Sequence, residues 1–76
     1  MVTARFKVSR VSPMGSEDAP WAYEVELTPD YAGGANKEWS EATPSGMCRL
    51  TITNMAAVEQ FKLGQAFELQ FHQHQD

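Results

Sequence analysis

His72 and His74 stand two residues apart, the one pair in this 76-residue chain with ligand-like spacing. On an extended strand, positions i and i+2 share a face, so a His-x-His pair can offer two nitrogens to one metal ion. The nearest third donor on that face is Asp76, and the pair reads as two exposed histidines in a solvated tail, HQHQD, with no metal expected. Cys48 could act as a nucleophile beside a histidine. It alternates with Leu50 and Ile52, however, on the apolar side of the segment MCRLTIT, where a lone cysteine behaves as a small hydrophobe. The carboxylates Glu17-Asp18 and Glu38/Glu41 fall in turn-rich stretches without a companion base or a pocket to tune them. Gly33-Gly34 lacks the following lysine and the strand–helix context of a phosphate loop. No catalytic residue and no cofactor is expected, and the chain reads as a non-enzyme.

Size and charge narrow the remaining classes. One domain spanning residues 1–76 is expected, and a chain this short buries only roughly 60% of its unfolded surface. Its core is therefore marginal unless stapled, idealised or oligomeric. A single cysteine permits no internal disulfide and suits a reducing compartment. The opening MVTARFKVSRV lacks the apolar core of a signal peptide, and no apolar run approaches the roughly 20 residues needed to cross a bilayer. Ten acidic against six basic residues give a net charge of −4, which disfavours a phosphate backbone as main partner. The basic residues that could form a local nucleic-acid face are Arg5, Lys7 and Arg49. Such a face would make the chain a single-strand binder of the barrel type, but the strand aromatics that would stack on bases alternate inward.

The elements that must position these residues follow from periodicity. Val2, Ala4, Phe6 and Val8 alternate with Thr3, Arg5, Lys7 and Ser9, the period-two pattern of a half-buried strand. Val11 falls out of step with Val8, which predicts a bulge or a strand end near Arg10. SPMGSEDAP, rich in turn formers, is expected to be a loop. Trp21, Tyr23, Val25 and Leu27 form the apolar face of a second strand, with Ala22, Glu24 and Glu26 on its polar face. Placed antiparallel to the first strand, those glutamates would face Arg5 and Lys7 in pairs worth about 0.2–1 kcal/mol each. Thr43-Pro44-Ser45-Gly46 signals a β-turn. A third strand carries Cys48, Leu50 and Ile52 inward. Asn54 is an N-cap for two turns of helix over 55–61, and Gly64 suits a left-handed turn after it. Phe67, Leu69 and Phe71 line a closing strand. The expected core is Phe6, Val8, Tyr23, Val25, Leu27, Leu50, Ile52, Val58, Phe61, Phe67, Leu69 and Phe71.

Asp30 to Gly46 has no period, and a loop this long in a small domain is usually functional or disordered. It carries Tyr31 and Trp39. Trp39 has three readings: it folds back to cap an undersized core, it anchors a partner protein, or it belongs to a disordered segment. On the second reading the partner-binding residues are Tyr31, Asn36, Lys37, Trp39 and Pro44.

Taken together, ARFKV, Leu27-Thr28-Pro29 with Tyr31, Asn36-Lys37-Glu38-Trp39, ATPSG at 42–46, Asn54-x-x-Ala57, Phe61-x-x-Gly64 and the aromatic strand 67–71 resemble a family of small, mostly uncharacterised proteins of tailed bacteriophages. The likeness spans most of the chain and departs at SPMGSEDAP and in the histidine-bearing tail. It implies origin rather than activity: no catalytic residues transfer, and expression inside an infected bacterium is expected.

The fold expected is mainly β, a small antiparallel barrel or curled sheet of SH3 or OB size with one short helix between the last two strands. The function expected is a protein-binding module acting through the 30–46 loop, in the virion as a decoration or assembly subunit or in the bacterial cytoplasm on a host protein. The alternatives are a single-stranded nucleic-acid binder and a small-ligand-sequestering inhibitor of host defence. A small core and exposed edge strands also favour a homo-oligomer.

Overall fold

A computed structural model describes residues 2–16, 18–31, 36–37, 39–40 and 44–74. Strand β1 runs Val2–Gly15, β2 Pro20–Pro29, β3 Cys48–Ile52 and β4 Ala66–Phe71, with one helical turn, α1, at Met55–Val58. The strands form one antiparallel sheet in the order β3-β2-β1-β4, curled into a half-barrel with β3 and β4 as its edges. The mainly β architecture and the position of the helix agree with the sequence reading.

The irregularity at Arg10 is a bulge, not a strand end. Val8 pairs with Leu27 and Arg10 with Glu26, leaving Ser9 as the extra residue. Its hydroxyl donates to the Glu26 carbonyl at 3.2 Å. The inserted residue shifts the alternation by one, which brings Val11 opposite Val25 and packs it against the core. The bulge also lets β1 serve two neighbours: Val2–Lys7 pair with β4, and Phe6–Gly15 pair with β2.

SPMG, residues 12–15, is therefore strand rather than loop. Pro13 is tolerated there because β4 has already ended alongside β1, so this part of β1 has a neighbour on one side only. A second irregularity corrects the reading of Trp21. Met14 pairs with Ala22 and Gly15 with Pro20, so Trp21 is the unpaired residue of the bulge. It is 61% exposed, while Ala22 is fully buried apart from the main cluster. Gly15 has φ +90°, and a Cβ there would collide with Cδ1 of the Trp21 indole.

The core is smaller than expected. Ala4, Phe6, Val8, Val25 and Leu27 are buried, with Cys48, Ile52, Phe61, Phe67 and Leu69 half-buried around them. Tyr23 and Val58 are half-buried too. Leu50 and Phe71, both expected inside, are 42% and 56% exposed, because each lies on an edge strand with a ladder neighbour on one side only.

The helix is also shorter than the two turns expected. Asn54 caps it as predicted, its side chain accepting from the Ala56 amide at 3.0 Å. After Val58 the chain tightens into i→i+3 bonds, Gln60 to Ala57 at 3.1 Å and Phe61 to Val58 at 3.0 Å, which end the α-helix. Phe61 thereby meets Phe67, ring centres 5.0 Å apart. Gly64, at φ +83°, turns the chain so that its amide donates to the Val8 carbonyl at 2.9 Å, and the Val8 amide donates to Gln65 at 3.0 Å.

Gly15→Ala should destabilise the fold by about 2 kcal/mol, from the positive φ and the collision with Trp21. A lower denaturant midpoint at unchanged slope would show it.

Candidate functional site

β2 leaves the sheet after Pro29, and one side chain takes over its pairing. The Asp30 amide still donates to the Arg5 carbonyl at 2.9 Å. Beyond that, the Asn36 amide group substitutes for strand backbone. Its Oδ1 accepts from the Arg5 amide at 2.5 Å, and its Nδ2 donates to the carbonyls of Arg5 at 2.8 Å and Asp30 at 3.0 Å. Oδ1 also accepts from the Trp39 indole Nε1 at 3.1 Å, and the Asn36 carbonyl accepts from the amides of Trp39 and Ser40. Asn36 sits at φ +74°, a left-handed conformation that asparagine tolerates better than most residues.

This bonding fixes Trp39. Its ring stacks on Phe6, centres 6.2 Å apart and planes inclined by 25°. Trp39 is half-buried, the arrangement of the core-capping reading. Its ring, together with Val2, Ala4, Phe6 and Phe71, walls a cleft of about 210 Å³ lined by apolar side chains. Val2 and Phe71, paired across β1 and β4, form an exposed rim. Tyr31, 64% exposed, follows Asp30 where β2 ends.

The five residues of the predicted partner surface therefore separate. Asn36 and Pro44 are buried and Trp39 is half-buried, while Tyr31 and Lys37 are exposed. The β-turn expected at 43–46 begins on Thr43, and Gly33-Gly34, Glu17, Glu38, Glu41 and Asp76 likewise fall outside the described residues.

The predicted charge pairs are rearranged. Arg5 and Lys7 do not meet Glu24 and Glu26, because the Ser9 bulge and the register set Lys7 opposite Thr28. Both cations turn to Asp30, which is 2% exposed: Arg5 Nε lies 3.1 Å and Lys7 Nζ 3.8 Å from its carboxylate. The two glutamates instead pair with Arg49 across β2 and β3, at 3.7 Å from Glu24 and 3.2 Å from Glu26. All three residues of the nucleic-acid reading thus have carboxylate partners. His72 and His74 are exposed, and among the described residues no three His, Cys, Asp or Glu side chains gather as a metal site. A second hollow of about 600 Å³ lies open over the turn at 59–65, beside Glu59, Lys62, Leu63 and Phe67.

No protein family, no curated protein and no solved structure matches this chain.

Sequence reasoning missed Val2 and Phe71 as a rim, since both lay on faces assigned to the core. It also missed Asp30, whose one signal was an acidic residue placed directly after a strand-ending proline.

Asn36→Ala removes an amide that satisfies three buried or half-buried backbone groups and the indole N–H. It should cost about 2–3 kcal/mol and raise Trp39 exposure to a fluorescence quencher. Trp39→Phe keeps the ring stack but loses the indole bond, and should cost about 1 kcal/mol in the same unfolding experiment.

Proposed function

We propose that this chain is a non-enzymatic protein-binding module of phage origin, docking its partner at the Trp39 cleft and at Tyr31, which is exposed just beyond the end of β2. The cleft is the observation that carries this reading. Its apolar walls offer dispersion and water exclusion but no group to move a proton. An apolar cavity of roughly 150 Å³ accommodates benzene, so about 210 Å³ has room for one aromatic or branched side chain. Burying such a side chain contributes about 1.5–3 kcal/mol, the scale of a single interface anchor. Tyr31 adds an amphipathic ring of the kind enriched at protein interfaces.

The partner on this reading is a phage structural protein or a bacterial host protein, met in the virion or in the infected cytoplasm. The resemblance in sequence pattern supports the phage origin, and the cleft supports the binding role. The alternatives are less well supported. Arg5, Lys7 and Arg49 are offset by Asp30, Glu24 and Glu26, which weakens the attraction a nucleic-acid backbone would feel. A ligand-sequestering role suits clefts of roughly 300–1,000 Å³ that enclose their guest. The Trp39 cleft is smaller, and the larger hollow is open.

The test is retention of proteins from purified particles and from infected-cell lysate on the immobilised chain. The wild-type chain should retain a defined partner. Tyr31→Ala and Val2→Asp, both at exposed positions, should weaken retention at least about tenfold, equivalent to about 1.4 kcal/mol, with little change in melting temperature. Equal retention by all three proteins would overturn the proposed surface.

A further inference from the structure

We infer that the free edge of β4 takes one further strand, an extended segment of the partner protein in which apolar and polar residues alternate and a lysine or arginine falls opposite Glu68. This rests on the protein-binding reading and gives it a mode of attachment, since the segment would lie beside Phe71, a wall of the Trp39 cleft.

Main-chain direction is the first support. The Val8 amide donates to the Gln65 carbonyl at 3.0 Å and its carbonyl accepts from Gly64 at 2.9 Å, so the Val8 backbone faces the β4 side. Along an antiparallel ladder this direction alternates. Phe6, Ala4 and Val2 therefore also face β4, and their partners Phe67, Leu69 and Phe71 face β1. The Arg5 main chain agrees, turned the other way to Asp30 and Asn36. The amides and carbonyls of Glu68 and Gln70 thus point outward in the plane of the sheet, at an edge with no second strand. Another main chain is the natural match for such a row, and an added strand supplies it.

The edge also lacks the usual guards. Natural edge strands carry prolines, lysines or inward charges, or lie under a covering element. β4, AFELQF, has none of the first three, and of the other elements only β1 packs against it. β3 is less open: α1 packs against it, and its one charged residue, Arg49, is already paired with Glu24 and Glu26.

The chemistry of the occupant is read from β1, which pairs with the other side of β4. There Val2, Ala4 and Phe6 stand opposite Phe71, Leu69 and Phe67, and Arg5 stands opposite Glu68. The Arg5 guanidinium turns away to Asp30, and among the described residues no cation pairs with the exposed Glu68. A second strand of the same pattern supplies that cation and sets an apolar side chain beside the exposed Phe71. The net charge of −4 favours the same basic segment.

The probe is an end-blocked peptide, Ser-Leu-Thr-Val-Lys-Val-Ser, whose antiparallel docking sets Leu opposite Phe71 and Lys opposite Glu68. Added to the full chain, it should slow amide exchange at Glu68 and Gln70 but not at Phe67 or Leu69, whose amides already bond β1. N-methylation of its Thr and Lys, the residues whose amides face β4, should abolish this protection. N-methylation of the central Val, whose amide faces away, should not. Glu in place of the peptide Lys should weaken binding at least about threefold. Gln70→Pro removes an outward amide and no bond to β1, so it should lose the peptide with little change in melting temperature. No added protection at millimolar peptide would overturn strand addition, as would equal binding by the two methylated forms. So would protection of Glu68 and Gln70 in the free chain at twice the 8.5 kDa mass, which assigns the edge to a second copy. The protein-binding reading fails separately, by equal retention on the wild-type, Tyr31→Ala and Val2→Asp chains.

Discussion

The architecture depends on one side-chain amide. Where β2 departs, the Arg5 amide would lose its ladder acceptor, and an unpaired peptide group near a small core costs more than a chain this size can spare. Asn36 supplies the acceptor that the Arg5 amide lacks and adds a second donor to its carbonyl, and the same oxygen holds the Trp39 indole. Two consequences follow from this bonding. The long loop is tied at its middle to the first strand, and the largest aromatic surface of the loop is laid over Phe6. Asparagine suits the position for two independent reasons, its paired donor and acceptor and its tolerance of positive φ. Aspartate would match the backbone preference but lack the two N–H donors, and glycine would lack the amide altogether.

Alternation carried most of the fold. The faces of β1 before Ser9, of β2 from Tyr23 onward and of β4 were legible because period two has a single physical cause, one side of the sheet packed and the other wet. The break at Val11 was legible as well, although its outcome was not: the choice between strand end and bulge depends on β2, whose Glu26 carbonyl accepts the Ser9 hydroxyl. Trp21 was misplaced because hydrophobicity alone put it with Tyr23 and Val25, whereas the positive φ of Gly15 makes room for its indole outside the ladder. Leu50 and Phe71 were assigned inward for a similar reason. Their pattern is that of core residues, and only strand order shows that they stand at the two edges.

The charged residues illustrate a different limit. Arg5, Lys7, Glu24 and Glu26 were correctly placed on polar faces, but partner choice is a property of register and of a neighbour invisible in local sequence. Asp30 lies just beyond the ladder and draws both β1 cations, which leaves the glutamates to Arg49. The convex face consequently mixes both signs at short range, and its field falls off quickly with distance. The apolar cleft on the opposite side has no such cancellation. It was hidden from sequence reading because its walls come from β1, β4 and the loop, three segments joined only in the folded chain.

The double allegiance of β1 also bears on how the chain assembles in time. Its second half can zip onto β2 as a local hairpin soon after both are made. Its first half pairs with β4, Val2 finding Phe71 from the far end of the chain. Until that strand has been synthesised, Phe6 and Ala4 have no complete shelter, and the β1–β4 pairing must span most of the polymer. Folding of such a topology is limited by a late, long-range closure, and nascent chains short of β4 are the species most exposed to aggregation and proteolysis.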